Sequence, residues 1–600
     1  MNDALPTDAD AHDPIELEIL RHEILSIPNQ IERNIERTAF SPLVQEYKDY
    51  AVGLVDPDGA LIAQSRGSLP IFVANALGTG VREAIDTHGA EALRHGDAVL
   101  TNSAATLGQH LNNVVLSTPV REGGAANGPL LGFFAVLVHW IDVGGSTPGS
   151  STGTSTTDVW QEGLQLPSVR LLDAGRRMED MFRLCAVNSR FPRLLLGDLE
   201  AQLAGCLLGR DMVLEVARRR GTGMLRATMA AMRRQAAAAA GAVIASIPPG
   251  EYRAESFLDG EGGVRVPVGV AVRAAEGKLT VDLSGLGPQM AGPSNAGRNG
   301  GAVAAARIAA KYVLTPDEPV NQGDFDLLRI EAPDGTFLTA RPDAPIGGSG
   351  NTIPTVVDTI LRALGEALPA RAAAAHHGTY GVHTIFGRLA NGELFANLDT
   401  ATGGWGATAE EDGAFPLRSN AHGDVPDIPV EMQEALYPFL LTGKALRPDS
   451  GGPGRRRGGI GVEKTYRILG ACKVSLKFER SQCPPWGLMG GGAGATCVVE
   501  ITRRDGEVLR AWKGTYPLES GDVMRIVSGG GGGYGPAWER EPERVLADIA
   551  AGYVTRGHAA EAYGVLLRSD GGLDGPGTER RRAAMREAAR NDTTREGNTA

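Results

Sequence analysis

The sequence predicts a mixed α/β (α+β) fold divided into several domains. Its 600 residues are more than one hydrophobic core usually serves, so several folding units are expected. Segments with helical spacing of apolar residues alternate along the chain with segments typical of strands. Residues 198–246, rich in Ala, Leu, Arg and Met and free of proline, predict one or two long helices that separate a mixed N-terminal part from a strand-rich part.

The N-terminal domain, residues 1–246, is expected to contain both helices and strands. Apolar residues at helical spacing predict an opening helix that Pro28 should kink or split. Two apolar runs flank the turn Asp56-Pro57-Asp58-Gly59, which predicts a hairpin. In chain order the patterns predict a helix, this hairpin, a second helix and two strand regions: residues 15–37, 50–64, 72–88, 99–120 and 130–143.

Three further domains are expected beyond the stop signal Ile247-Pro248-Pro249-Gly250. Residues 247–340 predict a β-rich section, in which Pro267 indicates an edge strand. Residues 341–535 predict an α+β domain with glycine-rich turns, and residues 536–600 predict short helices followed by a polar end without order. Within these sections the patterns predict a hairpin, two helices and two strand regions: residues 264–284, 302–314, 352–368, 473–479 and 498–510.

Charge and composition exclude several classes of function. The formal net charge is −12, from 59 Lys and Arg against 71 Asp and Glu, which repels nucleic-acid backbones and anionic membranes. No apolar stretch reaches the about 18 residues of a membrane span, and the first dozen residues lack the pattern of a signal peptide. The five widely spaced cysteines argue against a disulfide framework. A cytoplasmic protein that acts on a small molecule is expected.

Three simpler catalytic patterns carry little weight. The sequence has no G-x-x-x-x-G-K-[ST] motif, so this chain is not expected to bind ATP itself. Gly149-Ser150-Ser151-Thr152-Gly153 matches G-x-S-x-G, but it lies in a Gly/Ser/Thr-rich run, which favours a flexible or substrate-covering loop over a serine nucleophile. The run Gly529 to Gly533 is not followed at once by a helix, which removes the argument for a phosphate cradle.

Two histidines carry the strongest chemical signal. His110 has a carboxamide, Asn113, three residues later, and His139 has a carboxylate, Asp142, at the same spacing. Each pair stands at the border of a β-rich run, so side chains from separate strands could meet at one metal ion. The competing interpretation is that each histidine is a hydrogen-bonded structural residue.

Short motifs also run in a fixed order along nearly the whole chain. They are Asp13–Glu18, Arg37–Pro42 with Glu46 and Asp49, His139–Gly145, Gln161–Leu164, Gly197–Leu199 with Ala201–Leu203, Arg447–Gly452, Pro484–Gly487 and Gly530–Gly535. One such motif would mean little, but the ordered set resembles the B subunit of the ATP-dependent hydantoinase/oxoprolinase family. Large subunits of acetone and acetophenone carboxylases belong to the same family. The resemblance implies a hydantoinase B-like fold.

The resemblance further implies a division of labour between two subunits. A hydantoinase A-type partner binds ATP and phosphorylates the substrate, and the B subunit completes hydrolysis or carboxylation. A hetero-oligomer is therefore expected, in agreement with the missing P-loop. Family members hold a divalent metal, here expected to be Zn, Mn or Fe, through residues that correspond to His110, Asn113 and His139.

Several positions depart from the family pattern. Ser103, Asn113 and Asn351 are neutral where the family has acidic residues. Asn113 can offer a carbonyl oxygen to a cation but no charge, so weaker or altered metal binding is expected. Asp424 and Asp427 stand where many relatives have asparagines, and they are candidate ligands or proton acceptors. The alternative is that they only cap the following segment.

These residues define the expected site. Asp142 is expected to complete the metal shell or to orient His139, and Asp424 or Asp427 to accept a proton. Supporting or substrate-binding roles are expected for Arg37, Asp49 and Asn102, with a purely structural Arg37–Asp49 ion pair as the alternative.

Three functions stay open from the sequence. The first is a cyclic-amide hydrolase subunit that opens a phosphorylated lactam or hydantoin ring with a metal-activated water. The second is a subunit of an ATP-dependent ketone carboxylase. The third is a catalytically weakened structural subunit, which the neutral residues at 103, 113 and 351 would explain.

Overall fold

A computed structural model describes residues 13–150, 153 and 155–596 of the chain. Its N-terminal part is built on a seven-stranded antiparallel sheet in the order β2-β1-β5-β4-β3-β6-β7. The hairpin predicted over residues 50–64 is confirmed as the pair β1–β2. The strands are β1 Tyr50–Val55, β2 Leu61–Gln64, β3 Ala98–Thr101, β4 Asn113–Arg121, β5 Leu130–His139, β6 Val169–Asp173 and β7 Arg176–Arg177.

Helices cover both faces of this sheet, which explains why β1 and β4 are buried along their whole length. Long helix α7 packs against β4 and β5 on one face, and α4 packs against β1, β4 and β5 on the other. The helices are α1 Pro14–Thr38, α2 Pro42–Gln45, α3 Pro70–Val73, α4 Ala76–His88, α5 Ala104–Leu107, α6 Glu179–Val187, α7 Pro192–Arg220 and α8 Thr222–Ser246.

Helix α1 runs unbroken through Pro28, so the predicted split there is wrong. Proline inside a helix removes one backbone hydrogen bond and crowds the carbonyl group of the preceding turn, at a cost of about 3 kcal/mol. Against this loss, α1 buries a continuous stripe that includes Leu20, Ile24, Ile31 and Ile35. Burial of that stripe outweighs the local penalty.

A second sheet, in the order β11-β10-β9-β8, follows the long helices. The hairpin predicted over 264–284 is confirmed, but β9 is a central strand rather than an edge strand. In β9, the pairing with β10 begins at Val268. Pro267 precedes that residue and is paired only with Phe257 of β8, so its missing N–H removes no bond to β10. The elements are β8 Gly250–Asp259, β9 Arg265–Ala275, β10 Lys278–Leu286, α9 Ala304–Leu314, β11 Leu328–Glu331 and α10 Ser349–Ala367.

The remaining sheets face each other across a third apolar core. Their orders are β13-β12-β16-β19 and β14-β15-β20-β17-β18. The elements are β12 Val382–Arg388, β13 Leu394–Asp399, α11 Val430–Leu436, β14 Phe439–Arg447, β15 Gly461–Ile468, β16 Cys472–Lys477, β17 Val498–Thr502, β18 Val508–Ala511, β19 Gly514–Leu518 and β20 Val523–Val527.

The C-terminal section contains three helices: α12 Pro542–Ala550, α13 Arg556–Ala562 and α14 Gly575–Glu596. Helices α12 and α13 contribute to a small apolar core of their own. Helix α14 covers the polar segment up to Glu596. That segment is rich in Ala, Arg and Glu, which are strong helix formers. Arg582 anchors it, since its guanidinium donates to the carbonyl oxygens of Tyr563 at 3.0 Å and Arg540 at 2.7 Å. Residues 597–600 lie outside the described part of the chain.

An ion cluster holds α12 against the body of the protein. Arg540 donates two hydrogen bonds to Asp412, at 2.7 and 2.9 Å, and also pairs with Asp548. Burial acts to raise the pKa of Asp412, but the bonds from Arg540 overcome it, so the net pKa is lowered. Asp412→Asn should therefore cost about 3 kcal/mol of unfolding free energy near neutral pH.

The pH dependence of this cost has a defined sign. The pKa of Asp412 is lower in the folded state than its unfolded-state value of about 4, so the ionised carboxylate stabilises the fold fully above that pH. This stabilisation is lost as the pH falls through the folded-state pKa. The difference in urea midpoint between the wild type and Asp412→Asn should thus be full at pH 7 and shrink below about pH 4. A difference that stays constant between pH 7 and 3 would contradict this role of Asp412.

One apolar core extends from Leu43 to Ile428, across both sequence positions expected to divide the first three domains. The four-part division at 246, 340 and 535 stays a prediction from the sequence, and residues on both sides of positions 246 and 340 share this core. All five cysteines are buried and unpaired. Within the described residues, no helix combines the length and apolar character needed to cross a membrane.

Candidate functional site

A cavity of about 60 Å³ lies where the N-terminal sheet meets α3, the start of α10 and the third sheet. Its lining is mixed, with apolar contributions from Ile71, Phe72, Val382 and Leu398. Its polar side chains come from segments far apart in sequence: Asp49, Gln109, His110, Asn112, Asn113, His139, Ser150, Ser349, Asn351, Tyr380, His422 and Lys477. It thus contains the three residues expected to hold a metal.

Strand pairing brings the two histidines together. Strand β4 begins at Asn113 and the antiparallel β5 ends at His139, so these two residues lie directly opposite each other at one edge of the sheet. The backbone N–H of Asn113 donates to the carbonyl oxygen of His110 at 3.1 Å, which turns His110 back toward that edge. The ring centroids of His110 and His139 are 4.8 Å apart.

Asn102 fixes this loop but does not line the cavity. Its side-chain amide donates to the carbonyl oxygens of Leu111 at 2.7 Å and Leu164 at 2.9 Å, and its oxygen accepts from the backbone of Leu166 at 2.6 Å. With all these positions occupied, Asn102 ties the His110 segment to the 164–166 segment.

Three buried atoms that face this region have no hydrogen-bonding partner among the described residues. They are Asp49 Oδ1, Asn113 Oδ1 and His139 Nδ1. The three residues are each at least nine-tenths buried and line the same cavity. Because buried polar atoms are normally paired, such a concentration points to a ligand.

The protonation of these groups suits a cation. Burial lowers the pKa of His139 to about 3 and holds that of His110 well below its ordinary value, so both imidazoles are neutral with lone pairs available. Burial also raises the pKa of Asp49 to about 7. A bound cation would favour the ionised carboxylate.

The donor set offers two imidazoles, the amide oxygen of Asn113 and the carboxylate of Asp49. Across the described residues, no group of three or more His, Cys, Asp or Glu side chains is close enough to hold a metal ion. Asp49 therefore does not join both imidazoles around one ion, and a metal shell here would need Asn113, a weaker donor, as its third member. The two imidazoles and the unpaired Asn113 oxygen are the donors that a divalent cation could take, and Asp49 would add only its charge to the cavity.

Asp142 lies apart from the cavity. One carboxylate oxygen accepts from Ser150 Oγ at 2.7 Å and from the Gly144 N–H at 3.0 Å, and the other accepts from the Arg190 N–H at 2.9 Å. The Arg190 guanidinium completes the set at 3.1 Å. Asp142 therefore shapes the loop that follows β5, and the ring nitrogen His139 Nδ1 has no bond to it.

The other candidate carboxylates are also placed away from the cavity. Asp424 is exposed. Asp427 belongs to an ion cluster with Arg418, Lys444 at 2.6 Å and Lys464 at 3.2 Å. Burial acts to raise the pKa of Asp427, but Arg418 and Lys464 lower it overall, which makes it a weak proton acceptor.

The expected pairing of Arg37 with Asp49 is not formed. Arg37 is exposed in the last turn of α1, whereas Asp49 is buried. The backbone of Asp49 is held by His139, whose N–H donates to its carbonyl oxygen at 3.0 Å. Ser151, the candidate nucleophile of the G-x-S-x-G match, lies outside the described residues.

Three polar residues of the cavity carried no signal in the sequence. His422 stacks on Tyr380 with ring centroids 3.4 Å apart, and its Nδ1 lies 2.5 Å from Ser419 Oγ. Lys477 ends β16, and burial lowers its pKa to about 8. Of the three, only Lys477 fell within a predicted element, the strand over 473–479, and that prediction gave no indication of a functional role.

The fold and this cavity define an α+β scaffold with a site built from several separate segments, and comparison with known proteins identifies its family. The model of the Hydantoinase B/oxoprolinase family matches residues 13–537. The chain belongs to this family. The family and fold predicted from the sequence are thereby confirmed.

Individual relatives and solved structures match the chain over most of its length. The chain is 27% identical to caprolactamase subunit beta of Pseudomonas jessenii over 95% of this chain and 99% of that protein. A crystal structure of the ATP-dependent caprolactamase from that organism matches with a TM-score of 0.87 and 25% identity, over 95% of this chain and all of the matched chain. An acetone carboxylase structure matches with a TM-score of 0.87 at 20% identity, over 97% of this chain and 84% of that one. The 5-oxoprolinase 1 of Arabidopsis thaliana is 28% identical over 87% of this chain, which spans 42% of the plant protein.

Proposed function

We propose that this chain is the B subunit of an ATP-dependent cyclic-amide hydrolase that opens a phosphorylated lactam or hydantoin ring. The observation that carries the proposal is the cavity lined by His110 and His139, 4.8 Å apart ring to ring, together with Asn113 and Asp49, each of which has an unpartnered buried oxygen. Family membership and the caprolactamase relative, which acts on a cyclic amide, support this choice of substrate class.

The residues of the cavity divide the work. His110, His139 and Asn113 would hold a divalent cation, and Asp49 would supply the negative charge that Asn113 lacks. Such a cation, Zn, Mn or Fe, would lower the pKa of a bound water toward ~7. Attack of that water on the phosphorylated ring carbon would break the C–N bond and release phosphate. Asn102 keeps the His110 loop in place. Ile71, Phe72, Val382 and Leu398 supply the apolar wall for a ring.

ATP is assigned to a hydantoinase A-type partner in the cytoplasm. Two observations support this assignment. The chain has no P-loop motif of its own. Its relative from Pseudomonas jessenii is named as one subunit of an enzyme.

Reconstitution tests the proposal. The chain, co-purified with an A-type partner, should hydrolyse hydantoin, 5-oxoproline or caprolactam only when ATP is present, and without added bicarbonate. The chain alone should show neither ring opening nor ATP hydrolysis. Ring opening that does not need ATP, or none with any of these cyclic amides, would refute the proposal.

A carboxylase is the second candidate, favoured by the shape of the acetone carboxylase structure. The same complex should then consume bicarbonate and a ketone together with ATP. A catalytically weakened structural subunit is the third candidate, suggested by the neutral Asn113. In that case the complex would keep its activity when the cavity histidines are replaced.

Asn113→Asp is expected to tighten metal binding and raise turnover. The added carboxylate contributes a charge to the shell beside His139, which lies directly opposite on β5. A charged donor in place of an amide should strengthen binding about 10-fold or more. Competition with a chelator, followed by elemental analysis, measures the change in metal affinity. Asn127→Asp is the matched control, because Asn127 is exposed and does not line the cavity. Equal affinity in Asn113→Asp and wild type would contradict the placement of Asn113 in the shell.

A further inference from the structure

We propose that the cavity contains an oxyanion-binding subsite formed by Lys477, which takes a phosphoryl or carboxylate group of the substrate beside the imidazole pair. This inference rests on the proposed function and specifies part of its substrate. Lys477 would act by binding the anionic group and positioning the ring near His110 and His139.

The ammonium group of Lys477 has unused hydrogen-bonding capacity. Its Nζ donates to the carbonyl oxygen of Gly347 at 2.9 Å. An ammonium carries three donors, so two remain for a ligand in the cavity that this side chain lines. In the described part of the chain, no carboxylate oxygen lies within the 4.0 Å of an ion pair with Lys477.

Other lysines enclosed by the fold behave differently. Lys464 pairs with Asp399 at 2.9 Å, Lys311 pairs with Asp324 at 2.9 Å, and Lys513 pairs with Glu479. Burying a charge without a partner is costly, which is why enclosed lysines are normally paired. Lys477 departs from this pattern at the wall of a cavity, where a bound anion would be its partner.

The carboxylate that acts on Lys477, that of Glu162, forms no ion pair with it. Glu162 acts on Lys477 electrostatically, but one of its carboxylate oxygens accepts from the backbones of Ile346 at 2.7 Å and Gly347 at 2.8 Å. Glu162 thereby fixes the segment whose carbonyl oxygen holds Lys477. The ammonium is positioned by this segment and is not neutralised within ion-pair distance.

The surrounding surface suits an anion. Ser349 and Gly350, in the first turn of the long helix α10, line the cavity together with Lys477. The partial positive charge of a helix N-terminus favours anions. A Cβ atom at Gly350 would lie 3.3 Å from the Tyr380 ring and 3.4 Å from His422 Nε2, so the glycine keeps this corner open.

Independent evidence for a ligand comes from other residues of the cavity. Asn113 Oδ1 and His139 Nδ1 are buried without partners, and both residues line the same cavity as Lys477. The cavity therefore contains unpaired acceptor atoms and an ammonium without an anionic partner. A substrate that carries an oxyanion and is bound next to a cation would satisfy both.

Equilibrium binding of inorganic phosphate and of acetate to the purified full-length chain tests the inference. Lys477→Met keeps the apolar stem and removes the charge, and it should weaken anion binding about 10- to 100-fold. Lys477→Arg should stay within about 5-fold of wild type. Lys473→Met, the same change at an exposed position of β16, should bind within about 2-fold of wild type. Circular dichroism and the thermal midpoint confirm that each variant is folded.

The two ligands distinguish the source of the oxyanion. Lys477-dependent binding of phosphate alone would assign the subsite to a transferred phosphoryl group, and dependence with acetate also would assign it to a substrate carboxylate. Unchanged binding of both ligands in folded Lys477→Met, or binding by neither ligand to the wild type, would overturn the inference. Because this assay needs no partner and no turnover, Lys477-dependent binding would stand even if the complex failed to open cyclic amides. Ring opening without Lys477-dependent binding would remove the subsite and leave the proposed function intact.

Discussion

His139→Ala should abolish metal binding and reduce ring-opening activity of the two-subunit complex about 10³-fold, equal to about 4 kcal/mol of transition-state stabilisation. His139 ends β5, is 3% exposed, and lies opposite Asn113 and 4.8 Å, ring to ring, from His110. Its removal takes one of only two imidazoles from the donor set. The remaining amide and carboxylate oxygens bind transition metals more weakly than imidazole does.

Elemental analysis by mass spectrometry and turnover with saturating ATP measure the two effects. His88→Ala is a suitable control, since His88 bonds the backbone of Ser168 at 2.8 Å and lies outside the cavity. The control should retain wild-type metal content and activity. Stoichiometric metal together with near-normal turnover in folded His139→Ala would refute the assignment of His139.

Gly531→Ala should destabilise the protein by at least about 3 kcal/mol, a large share of the total free energy of unfolding. An added Cβ would lie 1.9 Å from the Trp405 carbonyl oxygen and 2.1 Å from its carbon. The obstacle is backbone, so no side-chain rotation can relieve it. Neighbouring backbone bonds hold Gly531 in place, from Gly531 N–H to the Gly459 oxygen at 2.9 Å and from Gly452 N–H to the Gly531 oxygen at 2.8 Å.

The thermal midpoint and the soluble yield check this expectation. Gly223→Ala is the matched control, because an added Cβ in this first turn of α8 meets no atom within 4 Å. Alanine favours helix by about 1 kcal/mol over glycine, so the control should be as stable as the wild type or more so. A Gly531→Ala variant as stable as Gly223→Ala would show that the backbone segments separate at little cost.

The same packing explains the many glycines of this chain. A Cβ at Gly458 would lie 2.0 Å from the Gly531 oxygen, and one at Gly404 would lie 2.0 Å from the Gly459 oxygen. The glycine-rich runs therefore pack backbone against backbone in the C-terminal half. The composition indicated special turns, and this packing is a different cause that only the folded contacts reveal.

Local sequence patterns were sufficient for most of the elements. The first hairpin, the long helices and the late strands follow from spacing of apolar residues and from turn residues, which act within a few positions of the chain. The failures occurred where distant packing outweighs a local penalty. Pro28 stays within α1 and Pro267 within a central strand, because burial and neighbouring strands compensate for one missing donor.

The site shows the same division. The sequence by itself determined the family and placed His110, Asn113 and His139 at strand borders, and antiparallel pairing then made them neighbours. Only the tertiary structure decided that Asp142 pairs with Arg190 outside the cavity. It also decided that Asp49 lines the cavity without Arg37, and that Lys477 of β16 lines it as well. Periodicity reports on contacts a few residues apart, whereas a cavity wall is set by how separate sheets pack, and packing depends on the whole buried surface at once.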